Sequence, residues 1–233
     1  MLSKKWEVFV RSFVTNEGYK NVLLGFKNTA YIAVFGFLIG VLIGVWIAIV
    51  KAAATQNKVC KGLSKIGDVY VGFFRGTPIV VQLLLIYYVL FPLIGVNIDK
   101  LIVAIVTFGL NSGAYVSEII RSGIASVDVG QKEAGRSLGL SYPSVMLRIV
   151  LPQAFKNSLP ALGNELIALV KDTSVAGFIA VFDLTQAFNL LGSSSYEFII
   201  PYIMLALFYL VIVIVLTVII KLVERRLRKS ERR

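Results

Sequence analysis

The chain has no histidine and one cysteine, Cys60, among its 233 residues. The first absence removes imidazole acid–base chemistry, and the second excludes an intrachain disulfide. Together they leave no ligand set for a zinc or haem site, so no metal is expected. Cys60 stands among Lys58, Lys61 and Lys65 and reads as an incidental thiol. Acidic residues are also scarce, 13 against 24 lysines and arginines, for a formal net charge of +11. No GxxxxGK[ST] run occurs, so the chain is not expected to bind ATP itself. The nearest glycine-rich stretch, GRSLGLS from Gly135, has no lysine to reach a phosphate. No internal repeat is visible. Residues 1–20 carry charge throughout and lack a continuous apolar core, so they are not expected to form a cleaved signal peptide.

What is abundant is apolar surface. Hydrophobic residues make up 57% of the chain, where a soluble domain sits near about 45–50%. The chain therefore reads as one integral membrane domain over residues 1–233. Its basic residues flank apolar runs, which is the pattern of inner-side membrane loops. Nucleic-acid binding is not expected.

A spanning helix needs about 20 mostly apolar residues. Residues 29–50, 76–98, 101–117 and 198–220 meet or approach this, and residues 159–170 form a shorter run around Asn164 and Glu165. Gly36, Gly40 and Gly44 stand four apart, on one face of the first span, where small residues let another helix of the same subunit approach. Three basic segments are expected on the inner side: the loop with Lys51, Lys58, Lys61 and Lys65, the run from Arg121 to Arg148, and the tail from Lys221. They share one side only if residues 159–170 also cross. That gives five spans and an outer N-terminus, and puts Lys4, Lys5, Arg11 and Lys20 outside. An even count with an inner N-terminus is the alternative. Residues 6–14 alternate weakly and suit a short helix along the membrane surface.

The polar run at residues 131–154, QKEAGRSLGLSYPSVMLRIVLPQA, is too charged to enter a bilayer and must meet something outside it. A short helix is expected over residues 128–138, stopped at Gly139 in a left-handed cap. Ser141 then caps a second helix, with Pro143 in its first turn, and Pro152 marks entry to the next span. Small residues Ala134, Gly135 and Gly139 on the near surface would admit a docking partner. From physics alone an ordinary amphipathic loop is an equal reading.

The spacing Glu133-Ala134-Gly135, then Gly139, then Ile149-x-Leu151-Pro152 resembles the signature loop of membrane subunits of binding-protein-dependent ABC importers. Gly135 in place of alanine is the one departure. RGTPIVVQL from Arg75, SGAYVSEIIRSGI from Ser112 and KDTSVAGFI from Lys171 resemble the polar amino acid permeases, and the likeness runs over residues 19–226. The resemblance implies an all-α bundle of five transmembrane helices, the type I importer permease fold, with a cytoplasmic coupling helix–turn–helix over residues 128–150. It implies a bacterial cytoplasmic membrane protein that is not itself an enzyme. Its expected partners are two ABC ATPase subunits, a second permease subunit and an extracellular substrate-binding protein. ATP and magnesium belong to the ATPase, and no cofactor is expected in this chain. Glu133, Ala134, Gly135 and Gly139 are the expected ATPase-coupling residues.

For the substrate path, Glu165 is the leading candidate, because an intramembrane carboxylate is expensive and needs a partner. That partner is either the cationic group of an amino acid or a neighbouring helix, and both readings stand. Asn164 offers an amide to a substrate carboxylate. Asp172 is a further candidate contact, compensated by Lys171, and Tyr115 is another. Glu118 is expected to pair with Arg121, three residues on. Thr77 and Gln82 line the path or pack between helices. If Glu165 faces the path, basic amino acids are favoured. A glutamine or glutamate substrate is the alternative within the family, and a partnerless secondary transporter or channel lies outside it. An intramembrane enzyme lacks a convergent catalytic set.

Overall fold

The structure is a computed structural model that describes residues 2–54 and 58–229. Among these residues there is no strand. The helices are α1 (Leu2–Val10), α2 (Gly18–Ala53), α3 (Lys58–Gly76), α4 (Ile79–Leu85), α5 (Phe91–Leu93) and α6 (Lys100–Ala125). They continue as α7 (Val129–Ser137), α8 (Tyr142–Val145), α9 (Leu151–Asp172), α10 (Leu184–Ser195) and α11 (Ile199–Lys229).

Helices α2, α6 and α11 are long and apolar enough to cross a membrane. A fourth crossing forms if α3 and the helical segment Ile79–Leu93 count as one span, bent by 109°. Sequence reading expected a single apolar span from residue 76. The structure instead starts that span in α3 and breaks it at Gly76–Pro78. Pro78 has no N–H to donate, and it disfavours helical geometry at Thr77. Much of the expected loop at residues 51–68 is therefore helix. Helix α9, the expected fifth span, has 22 residues, about 33 Å at 1.5 Å per residue, but it is not among the helices apolar enough to cross by composition.

The expected glycine stripe does join two helices of the subunit. A methyl group added at Gly40 would lie 2.8 Å from Ser112 Cβ, and one at Gly44 only 2.5 Å from Val116 Cγ1 and 2.8 Å from the Ser117 nitrogen. Any side chain there would push α6 away. The largest core cluster gathers Ile32, Leu83, Phe108, Leu169 and Ile179 from five segments. By contrast, the apolar stretch of α11 has none of its residues buried within the subunit, which leaves that helix at the periphery.

The N-terminal segment is helical as expected but does not simply lie on a surface. Phe9 is buried with Val22, Phe188 and Ile200, and Lys5 pairs with Glu197 at 2.7 Å. That ammonium holds the Glu197 carboxyl below its ordinary pKa. The turn before α10 is clamped to α2: Leu184 N–H donates to Thr29 Oγ1 at 3.1 Å, and Asn28 donates to the Phe182 carbonyl at 2.8 Å.

Candidate functional site

Helix α7 begins at Asp128, whose carboxylate accepts from Gly130 N–H at 2.7 Å. It ends in a left-handed glycine, Gly139, at φ +79°. There Leu140 N–H reaches the Gly135 carbonyl at 3.2 Å and Gly139 N–H reaches Arg136 at 3.0 Å. This pair of bonds is the Schellman motif, which closes a helix without orphaned carbonyls. Helix α8 starts after Ser141 as expected, but the Ser141 side chain makes no cap bond. Pro152 does not interrupt the chain. A π turn at Met146–Val150 leads directly into α9, and its wider ring accommodates the proline.

The hairpin is rigidly based. Val127, Val145, Met146, Val150 and Ala154 form a small core of their own. The Tyr142 hydroxyl donates to the Ala52 carbonyl at 3.2 Å, Asn157 donates to Ser126 Oγ at 2.9 Å, and Gln153 donates to Gln131. The ends of α2, α6 and α9 therefore move with the hairpin.

Glu133, Ala134 and Gly139 are exposed on the hairpin, but Gly135 is buried. Gly135 faces Val145 and Ile149 rather than the near surface expected from its place in the motif, so it serves hairpin closure. The reason is angular: at 100° per residue, positions 133 and 135 lie about 200° apart on a helix. A methyl group at Gly135 would meet the tips of Ile149 and Val145 at 3.0 Å, a contact that two side-chain ends can relieve. Gly135→Ala also gains helix propensity, worth up to about 1 kcal/mol. The expected result is melting of the purified chain unchanged within a few degrees; a collapse of the melting temperature would contradict this packing.

Helix α9 carries Asn164, Glu165 and Asp172. Glu165 and Asp172 are seven residues apart, two turns on one face. Glu165 is half-buried, while Asn164 and Asp172 are exposed. The Glu165 carboxyl neighbours the Ser112 side chain of α6, and Asp172 stands about 10 Å farther along the helix. The Ser112 hydroxyl is buried, and the Glu165 carboxylate is the group placed to accept from it. A half-buried carboxylate with a second carboxylate two turns along the same face is suited to a cationic ligand. Lys171 lies near enough to Asp172 for its charge to favour the carboxylate, as expected of a compensating neighbour, though the two side chains form no close ion pair among the described residues.

Tyr115 sits farther along α6, under the Arg75 guanidinium at 5.5 Å from the ring centre. Beside it Glu118 gathers an ion-pair hub. Arg121 pairs with it at 2.9 Å, as expected, and Lys51 lies at 3.4 Å and Arg75 at 3.8 Å. Lys51 also holds Asp68 at 2.8 Å. Lys51, Asp68 and Arg75 join this cluster through pairings between different helices, which leave no local signal in the sequence.

Gln82 is buried at 1% exposure and does not line an open path. Its amide nitrogen donates to the Phe74 carbonyl at 2.8 Å, and to the Thr77 carbonyl and Thr77 Oγ1 at 2.9 Å each. Its amide oxygen accepts from Asn111 at 2.9 Å. These groups repair the helix broken at Pro78.

Residues 36–229 match the family described as binding-protein-dependent transport system inner membrane component. The chain is 40% identical over 210 residues to the arginine transport system permease protein ArtQ of Bacillus subtilis, covering 90% of this chain and 94% of that one. It is 39% identical over 204 residues to the L-cystine transport system permease protein TcyB of the same organism, covering 87% and 85%. Among solved structures, a subunit of an amino acid ABC transporter superposes with a TM-score of 0.82 at 37% identity, covering 92% of this chain and 97% of that one. The MetNI methionine ABC transporter, in an inward-facing conformation, superposes at 0.74 with 18% identity over 88% of this chain and 95% of that one, a likeness of fold.

Proposed function

The chain belongs to the family of binding-protein-dependent transport system inner membrane components, and from that premise we propose how it works as the permease of an amino acid ABC importer. It works beside a second permease subunit, with two cytoplasmic ATPases that bind ATP and magnesium, and with an external substrate-binding protein. The hairpin of α7 and α8 presents Glu133, Ala134 and Gly139 to a cleft on the ATPase. Closure of the ATPases then moves the hairpin, which is bonded to the ends of α2, α6 and α9. The bundle alternates between two packings of rigid elements, open to one side and then the other. The basic segments support a hairpin on the cytoplasmic side and an N-terminus outside.

The substrate is a basic amino acid. The observation that carries this reading is the pair of carboxylates, Glu165 and Asp172, on one face of α9, with Glu165 half-buried against Ser112 of α6. The 40% identity to an arginine transport system permease supports it. Asn164, one residue before Glu165, offers its amide to the substrate carboxylate. Glu165→Gln keeps the shape of the side chain and removes its charge. Arginine uptake by the reconstituted importer is expected to fall about tenfold, the equivalent of 1.4 kcal/mol of lost ion pairing. Uptake at the parent rate would remove Glu165 from the substrate path.

A further inference from the structure

We propose that the cavity between α3, α6 and α9 is a second amino-acid site, which grips the α-carboxylate of the transported molecule on the hairpin side of Glu165. The proposal rests on the transport reading above and adds a step to it. The cavity has a volume of about 540 Å³ and is lined by Arg75, Tyr115, Glu118, Arg121, Asn157 and Ser158 among others. That is ample for one amino acid.

The charges favour an anionic group. Lys51, Arg75 and Arg121 face Asp68 and Glu118, three cations against two carboxylates, an excess of one positive charge. Glu118 is already committed, with Oε2 accepting from Arg121 Nε at 2.9 Å and Oε1 from Lys51 at 3.4 Å. The Arg75 guanidinium, at 3.8 Å from Glu118, is beyond hydrogen-bond reach. It makes no hydrogen bond among the described residues. It lies over the face of Tyr115 with one terminal nitrogen toward Glu118, and its remaining N–H donors have no hydrogen-bond partner among the described residues. A planar guanidinium fork matches a carboxylate bidentately. Across the cavity Asn157 spends its amide nitrogen on Ser126, and its amide oxygen remains to accept from an ammonium group. A guanidinium on α3 and an amide oxygen on α9, lining one cavity, suit an amino acid whose carboxylate meets Arg75 while an N–H donor of the same molecule turns to Asn157.

The cavity also lies on the way. Ser112 neighbours Glu165, and Glu118 follows six residues later on α6, about 9 Å along the axis at 1.5 Å per residue. Ala161, which lines the cavity, precedes Glu165 by about one turn of α9. A molecule leaving Glu165 toward the hairpin therefore reaches Arg75 within about its own length. A site open on that side binds product, and binding stabilises the state that presents it by a factor of 1 + [L]/Kd. Import slows as the internal amino acid accumulates.

The test uses proteoliposomes holding the complete importer, with ATP inside and binding protein outside. Arginine, cystine and glutamine are each tried as substrate. For each one transported, vesicles are preloaded with nothing, with that amino acid, or with its carboxylate-free amine: agmatine, cystamine or 4-aminobutanamide. Internal amino acid at ten times its Kd is expected to reduce initial uptake about tenfold, and the amine to reduce it far less. Arg75→Gln should remove the difference between amino acid and amine when each variant is compared with its own empty vesicles. Arg75→Lys, which keeps the charge and loses the fork, should retain part of it. Uptake insensitive to internal amino acid, or equally sensitive to the amine, overturns the second site and leaves the transport reading intact. No ATP-driven uptake of any of the three overturns both. If the Arg75 variants do not fold, the parent's discrimination between amino acid and amine still decides.

Discussion

Glu133→Arg is expected to reduce ATP-driven uptake by about 100-fold and to release the ATPase from the purified complex, with the permease still folded. Glu133 is exposed in the middle of α7 and makes no ion pair with any described residue. Reversing its charge therefore costs the isolated chain little, since exposed substitutions usually stay within about 0.5 kcal/mol. At an interface the same reversal sets like charges against each other, which costs several kcal/mol. A loss of about 2.7 kcal/mol is a factor of 100 in affinity. The measurement is co-purification of the ATPase from gently solubilised membranes, paired with the melting temperature of the permease. Retention of the ATPase at parental stoichiometry would remove Glu133 from the docking surface.

The second large effect is structural. Gln82→Leu should destabilise the chain by about 3 kcal/mol, because a buried group left without its partner costs about 1–3 kcal/mol. The Thr77 carbonyl would lose its partner, the Phe74 carbonyl would keep only the longer 3.3 Å bond from Asn111, and Asn111 would lose its bond to the Gln82 oxygen. Leucine fills nearly the same volume, so the loss isolates the hydrogen bonds from packing. For a domain of this size a loss of that magnitude corresponds to a fall in melting temperature of roughly 10 °C. An unchanged melting temperature would mean that the break at Pro78 is held by other contacts. Because α3 carries Arg75 and borders the ion-pair hub, the same variant should also impair uptake.

These two residues mark what a sequence discloses. The hairpin that carries Glu133 was legible because it is local. A cap, a glycine stop, a second cap and a proline fall at fixed offsets, and the structure reproduces the helix–turn–helix around Gly139. The glycine stripe of α2 was legible for the same reason, as a four-residue period within one helix. Gln82 was not, since its partners Phe74 and Asn111 lie 8 and 29 positions away. The bend at Pro78 was missed because an uncharged run looks continuous to a hydropathy average, while one absent N–H decides the backbone. The inward aim of Gly135 could have been found: its angle from Glu133 on a helical wheel excludes a shared docking face. Asp183 could have been found as well. Asp183-Leu-Thr-Gln186 has the spacing of a capping box, and the Asp183 carboxylate does accept from Thr185 and Gln186 N–H at 3.1 and 3.0 Å.

The ion-pair hub had a half-visible core. Glu118 and Arg121 stand three apart on α6 and pair at 2.9 Å, as a helical surface predicts. Lys51 and Arg75 join them only because α2 and α3 fold against α6. The candidate substrate residues divide similarly. Glu165 and Asp172 share a face that their spacing alone discloses. Tyr115, from the same set of expectations, belongs instead to the cavity of Arg75, a grouping that required the bundle.

The measurement that bears most directly on the account is uptake of labelled arginine into proteoliposomes holding this permease, its ATPase and its binding protein. ATP is enclosed in the vesicles, and the membrane potential is set independently. The account predicts uptake that requires enclosed ATP, stops with vanadate, and is indifferent to collapse of the potential. Uptake that proceeds without ATP, ignores vanadate and disappears with the potential would contradict it, and would make the chain a transporter that runs without an ATPase.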